Sequence, residues 1–332
     1  MKFGIFYEHQ LPKPWDEGVE LKLFQDALDQ VELADKLGID YAWEVEHHFL
    51  EEYSHSSCPE IFLAAASQRT TNIRLGHGIR QVITNYNHPA RTAECIATLD
   101  LVSGGRVEFG TGESSAILEL GGFDIPVQSK REQYLEAVEQ ICNMLAMDPY
   151  PGFAGKYFEM PCRNIVPKPV QRPHPPLWVA CSNRETIKMA ARLGMGALTF
   201  AFVDPMEAKQ WVDEYYNIIK SDECVPIGHQ VNAEICMVTA ASGQLSSRDF
   251  ATLESLVKLS RSMAGRASGL LGGMAEQVEL LAIELDGVPV AVRDLENNKR
   301  YQVTAVSNAA LSDALFNGYG GFQKQAMPSL FR

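Results

Sequence analysis

Asp40-Tyr41-Ala42-Trp43-Glu44-Val45-Glu46-His47-His48-Phe49 is a short, largely apolar run that ends in a carboxylate and two imidazoles. A run of this length, entered just after Gly38 closes a helical segment, reads as a buried parallel strand whose C-terminal end carries function. Six further runs share its form: Lys2–Glu8, Asn72–Ile79, Arg106–Gly110, Pro176–Cys181, Ala197–Val203 and Val231–Thr239. Between the first two, Phe24, Leu28, Val31, Ala34 and Leu37 recur at three- and four-residue steps, the period of a helix burying one face. Strand ends near residues 8, 46, 78 and 110 space the βα units about 32–38 residues apart. That rhythm suits an open doubly wound sheet or a (β/α)8 TIM barrel. The barrel is favoured, because the strand ends are rich in groups that would converge on one mouth: Glu46-His47-His48, Gly76-His77-Gly78, Gly110-Thr111-Gly112-Glu113 and Cys181-Ser182-Asn183.

The 332 residues, 46% hydrophobic and 21% charged, describe a globular chain able to bury a large core. A net charge of −13 repels a phosphate backbone, so no nucleic-acid partner is expected. Seven cysteines without a Cys-x-x-Cys pair read as reduced thiols. The polar start and the lack of a long apolar run predict no membrane partner and a cytoplasmic location. Residues 148–176 hold eight of the seventeen prolines and interrupt the rhythm as an insertion after the fourth helix. A hairpin of Tyr157–Met160 with Asn164–Val166 is expected there. Past residue 240 the rhythm changes again. Val278–Leu285, Val288–Leu295 and Tyr301–Val306 read as a β-meander, so residues 1–240 form the barrel and 241–332 a divergent region that closes it or is appended to it.

His47 and His48 are the candidate catalytic residues. Neighbours on an extended strand point to opposite faces, so both rings cannot ligate one metal from it, and no metal site is expected despite His55. An imidazole exchanges protons near neutrality, and Glu46 is placed to orient a ring nitrogen or a cofactor. Two hydrogen-bonded structural histidines would leave the same pattern. Gly110-Thr111-Gly112 ends a strand with small residues that let a flat ligand approach the backbone, but as a dinucleotide fingerprint it is poor, with Ser115 in place of the third glycine. At Ala180-Cys181-Ser182-Asn183-Arg184-Glu185-Thr186 a strand gives way to a helix whose free amides, with Arg184 and Thr186, form a natural phosphate seat. An ordinary cap by Ser182 or Asn183 explains the same residues without a ligand.

Together these segments resemble the bacterial luciferase-like, flavin-dependent monooxygenase family. The resemblance rests on Met1-Lys2-Phe3-Gly4, Glu46-His47-His48-Phe49, Asn87-His88-Pro89-Ala90-Arg91, Gly105-Arg106-Val107-Glu108-Phe109-Gly110 and the turn from Ala180 to Thr186, and it covers about residues 1–240. It implies a barrel with reduced FMN across its mouth, His47 as the reacting histidine and Glu46 near the flavin ring. It places a non-prolyl cis peptide at Gly78-Ile79, sets Gly112 beside the ring, and assigns the phosphate to Ser182, Asn183, Arg184 and Thr186 with Arg131 as a second cation. Glu113 stands where luciferase itself carries an arginine.

The function this implies is an FMN-dependent monooxygenase. Reduced flavin would arrive from a separate reductase, react with O2 to a C4a-hydroperoxyflavin, and oxidise an aldehyde, ketone or other small organic substrate. An F420-dependent dehydrogenase or reductase of the same family is the alternative. A non-catalytic flavin-binding or partner subunit is a third reading, motivated by the unusual last 90 or so residues. The family commonly dimerises, so a homodimer is expected.

Overall fold

Alternation along each strand sends one set of side chains towards the helices and the other into the interior of a curled sheet. The computed structural model describes residues 2–200, 205–238, 283–285, 288–291 and 302–303. In chain order the elements up to the insertion are β1 (Gly4–Tyr7), α1 (Val19–Leu37), β2 (Tyr41–Glu44), α2 (Pro59–Arg69), β3 (Arg74–His77), β4 (Arg80–Gln81), α3 (Pro89–Ser103), β5 (Val107–Gly112), α4 (Ile117–Gly122) and α5 (Lys130–Ala146). After it come β6 (Tyr150–Ala154), β7 (Glu159–Arg163), β8 (Leu177–Cys181), α6 (Arg184–Arg192), β9 (Gly196–Phe200), α7 (Pro205–Ile219) and β10 (Ile235–Val238). Parallel strands pair in the order β1-β2-β3-β5-β8-β9-β10, with β4 also beside β5. The two ends of this sheet approach one another: Lys2, entering β1, reaches Glu234, entering β10, at 2.8 Å and also donates to Tyr41 on β2. The sheet is thus nearly closed into a barrel, as the TIM-barrel reading expects. An eighth strand between β10 and β1 would lie outside the described residues.

The helix-facing core contains Ile5, Tyr7, Leu75, Val107, Phe109, Val179 and Ala197 from the strands, covered by Val31 and Ala34 of α1, Leu63 of α2, Ile96 of α3 and Ile141 of α5. The barrel interior is filled differently. Tyr41, Trp43, Trp178 and Leu198 form its centre, with Phe6, Ile79 and Cys236 against them, and the two indoles meet edge to face at 5.3 Å. Room for the indoles comes from neighbouring strands. A Cβ on Gly76 would lie 2.2 Å from the Trp43 ring, and one on Gly196 would lie 2.4 Å from that of Trp178. Trp178 Nε1 donates to Glu108 at 2.7 Å, which satisfies that buried donor.

Arg106, inside the Gly-Arg-Val-Glu-Phe-Gly motif, is a structural staple. Its guanidinium donates to the carbonyls of Ser67, Thr70 and Ile73, to the Thr70 hydroxyl and to the Ser103 carbonyl. These acceptors lie around the C-terminal ends of α2 and α3, where a cation complements the helix dipole. Gly38 ends α1 in the left-handed conformation at φ 80°, as expected.

The insertion does contain a hairpin, but it pairs Tyr150–Ala154 with Glu159–Arg163, several residues earlier than the sequence suggested. Tyr157 lies in the turn instead of a strand, because Glu136 on α5 accepts from the backbone amides of Lys156 and Tyr157 and pins them there. In the C-terminal region β11 (Ile283–Leu285), β12 (Val288–Ala291) and β13 (Gln302–Val303) pair antiparallel in that order, which agrees with the meander; the rest of 241–332 lies outside the described residues. No helix among the described residues is long and apolar enough to cross a membrane.

Replacing Gly76 by Ala tests the interior packing. The added methyl displaces the Trp43 indole, and we expect a loss of about 1–3 kcal/mol in denaturant unfolding together with altered tryptophan fluorescence. Unchanged stability and emission would show that Trp43 does not need that space.

Candidate active site at the barrel mouth

Glu8, Glu46, His47 and His48 lie just past the C-terminal ends of β1 and β2, and Glu44 is the last residue of β2. His47 Nδ1 lies 2.7 Å from Glu119 Oε1, and its Nε2 lies 3.6 Å from Glu8 Oε2. Glu119, fully buried on α4, also accepts from the His48 amide at 2.9 Å and from the Ser114 hydroxyl. Burial disfavours the charged ring of His47. The Glu119 hydrogen bond and the charges of Glu8, Glu119 and Glu46 outweigh it, so the pKa rises above 6.5. For Glu119 burial pushes upwards, but His47, the Ser114 hydroxyl and the His48 amide hold the carboxyl below its ordinary value. Glu8 has weaker support: burial raises it to about 7, only partly offset by His47 and by the Tyr53 hydroxyl, which donates at 3.2 Å.

His47 and His48 lie past the end of β2, in the turn that follows it, so strand alternation does not set their directions; their rings nevertheless take different carboxylates. His48 Nε2 is 3.1 Å from Glu46 Oε1, and its ring lies among Phe49, Tyr86 and Phe123. Glu46 is buried and well engaged, since it also accepts from the Gln81 amide and from Asn87 Nδ2, both at 2.9 Å. Asn87 in turn accepts from Arg80, whose other terminal nitrogen is 2.8 Å from Glu60. Glu46 therefore orients an imidazole as expected, but it is the imidazole of His48. The partner of His47 is Glu119, 72 residues away, which sequence reasoning did not single out. Glu8 was likewise missed, although its place at the end of the first strand was visible. His9, equally unforeseen, packs on the helix side of the sheet with Nε2 2.9 Å from Glu44, among Tyr7, Phe24 of α1 and Phe62 of α2. His55 leaves the cluster for Glu20.

Of the three residues expected beside the flavin ring, Gly112 and Ile79 adjoin, a Cβ on Gly112 lying 2.4 Å from Ile79 Cδ1, whereas a Cβ on Gly78 would lie 2.9 Å from the Phe6 ring. The peptide between Gly78 and Ile79 is not cis; every cis bond among the described residues precedes proline. A trans bond serves here because the chain stays paired to the β2 edge on both sides, Gly78 N donating to the Glu44 carbonyl and Glu46 N to that of Ile79.

At the β8 corner Asn183, not Ser182, caps α6, its side chain accepting from the Thr186 amide and hydroxyl at 3.0 Å. Ser182 is exposed. Arg131 reaches this corner and contacts Met189 of α6, yet its guanidinium is held in a two-point ion pair with Glu113 at 2.7 and 2.8 Å. Arg184 is likewise taken by Glu214 of α7. Both cations expected to serve a phosphate are thus paired with carboxylates. Cys181 is buried, and burial drives its thiol far up, so it acts as packing.

The mouth suits a flavin in one respect and strains it in another. Gln81 Oε1 is buried with no hydrogen-bond partner among the described residues, an acceptor free for a ring N–H of a bound group. The phosphate corner offers an exposed hydroxyl and a helix start, but its arginines are already neutralised.

Three relatives set this arrangement in context. The oxygenase component of flavin-dependent trigonelline monooxygenase from Acinetobacter baylyi is 25% identical over 198 residues, covering 58% of this chain and 52% of that protein. An F420-dependent glucose-6-phosphate dehydrogenase from Amycolatopsis mediterranei is 28% identical over 177 residues, 52% of each chain. The chain spans about half the length of the curated relatives it matches. Among solved structures, the monooxygenase RslO1 from Streptomyces bottropensis superposes with a TM-score of 0.63 at 27% identity, covering 81% of this chain and 80% of that one. The family model for luciferase-like monooxygenases matches residues 1–229, and with the nearly closed parallel barrel and the imidazole–carboxylate mouth it leads to one conclusion: the chain belongs to the luciferase-like monooxygenase family.

Proposed function

We propose that this chain is an FMN-dependent monooxygenase acting on an aldehyde, ketone or other small organic substrate, with reduced flavin delivered by a separate reductase. The observation that carries the reading is His47, held at the barrel mouth between Glu119 and Glu8 with its pKa raised. Bound reduced FMN would supply the electrons that activate O2 for insertion of one oxygen atom. The chain's own contribution is positional and protonic. Glu119 fixes one nitrogen of His47, and the other faces Glu8, so a proton can be held at Nε2 and passed to an oxygen at the mouth. Gly78, Ile79 and Gly112 would face the ring, Gln81 Oε1 would accept from it, and Ser182, Asn183 and Thr186 with Arg131 and Arg184 would hold the phosphate. A homodimer in the cytoplasm completes the proposal.

Similarity to an F420-dependent dehydrogenase supports a second reading, hydride transfer with F420. Titration with each cofactor, anaerobic reduction and admission of O2 separates them. Preferential FMN binding with substrate oxygenation supports the first, and F420 binding with oxygen-independent turnover supports the second. Oxygenation that survives His47→Ala would overturn the role given to this histidine; we expect turnover to be abolished while FMN affinity stays within about tenfold, or 1.4 kcal/mol.

Glu113 competes with a phosphate for Arg131. Glu113→Gln should therefore tighten FMN about tenfold, or 1.4 kcal/mol, while leaving riboflavin, which lacks the phosphate, unchanged. Flavin fluorescence titrations read both, and an equal change for the two would refute the competition.

Glu8 makes stability fall with pH. Between its ordinary value of 4.5 and about 7 the native carboxyl keeps a proton that the unfolded chain has released, so this stabilisation is full below 4.5 and is lost as pH rises through 7. Glu8→Gln should flatten that decline and raise Tm at pH 8, as followed by thermal melts across pH 4–9.

A further inference from the structure

Glu119 stands out among the buried charges because its contacts are split between a ring and a backbone. Its Oε1 accepts from both His47 Nδ1 and the His48 amide, and its Oε2 accepts from the Ser114 hydroxyl. We propose that Glu119 is the positioning residue of the site: it holds His47 as the Nδ1–H tautomer and ties the turn after β2 to residues 114–123, leaving Nε2 as the nitrogen that exchanges a proton at the mouth.

An ionised carboxylate can only accept, so a 2.7 Å contact requires the hydrogen on Nδ1 whenever the ring is neutral. The groups facing His47 are few. Glu119 comes from α4, Glu8 from the end of β1 and Glu46 from the ring's own turn, while the Tyr53 ring stands edge-on at 5.6 Å. Glu8 Oε2, at 3.6 Å from Nε2, is too distant to fix the opposite tautomer by a direct hydrogen bond. Glu119 itself is held in place. Ser114, at φ 59°, donates to it and accepts from the Ala116 amide at 3.1 Å, where α4 begins. At the other end of α4 the Phe49 ring lies where a Gly122 Cβ would be, 2.4 Å away, and packs on Phe123 at 5.4 Å. Residues 47–49 and 114–123 therefore lock together, with Glu119 as their one charged contact to an imidazole. Three donors compensate a carboxylate that would otherwise be costly to bury.

The use of Nε2 in turnover rests on the flavin reading, whereas the tautomer does not, and this separates the two tests. Nitrogen NMR of the flavin-free protein labelled at histidine, with His47→Ala to assign the signal, should find neutral His47 protonated at Nδ1. A ring protonated at Nε2 overturns the proposal without any variant of Glu119. Glu119→Gln keeps the shape and removes the charge; the titration of His47 should fall by more than one pH unit, and Glu119→Asp, which keeps the charge, should recover part of that shift. In the loaded enzyme the limb of the kcat profile that follows His47 should move equally, with KM changed less than twofold. An unmoved titration in folded Glu119→Gln overturns the proposal. If neither FMN nor F420 binds while the tautomer and titration are as expected, the flavin reading fails and the positioning role stands.

Discussion

Two indoles packed edge to face inside a curled parallel sheet are the constraint on which the rest of this molecule depends. Trp43 and Trp178 lie on strands separated by two others, and they can meet at 5.3 Å only if the sheet curves around them. Gly76 and Gly196, on neighbouring strands, give up their side chains to make that space. An interior filled by two large rings makes the barrel a packed core, with its chemistry placed at the ends of the strands. The C-terminal ends then converge whether or not their own side chains attract. That convergence brings carboxylates of β1, β2 and α4 within reach of two imidazoles.

The mouth that results is rich in acid. His47 has Glu119 and Glu8, His48 has Glu46, and His9, packed against α1 and α2, has Glu44. The cations nearby are similarly matched, Arg131 to Glu113 and Arg184 to Glu214. Such pairing makes each group's ionisation depend on its partner, and the outcomes diverge. Glu119, with three donors, stays ionised easily; Glu8, with one hydroxyl donor and a distant imidazole, is driven upwards by burial. Two carboxylates on opposite sides of one ring thus acquire different proton affinities, which is how a site gains distinct acid and base positions without a metal.

Much of this was legible in the chain. The strand at residues 41–44 and the helix over 19–37 with its Gly38 stop are local patterns, governed by neighbours within a few residues. The alternation expected to separate His47 from His48 does not operate, because β2 ends at Glu44 and both residues lie in the turn beyond it. The hairpin of the insertion was misplaced because Glu136 on a different element captures the Lys156 and Tyr157 amides, a contact with no local signature. Arg106 carried no sign of its staple role for the same reason, since its acceptors belong to two other helix ends. The expected cis bond at Gly78-Ile79 came from family likeness, and the bond is trans.

By itself the sequence determined the alternation of strands and helices, the barrel class, the pair of imidazoles at the end of β2 and the glycines that allow close approach, because each depends on residue type and short-range period. Only the tertiary structure decided which carboxylate serves which imidazole. Glu46, the near neighbour, belongs to His48, while Glu119, far along the chain, belongs to His47. The physical reason is that a hydrogen bond is set by position in space. Chain closure around the two indoles brings α4 over the mouth, and no spacing along the chain encodes that approach.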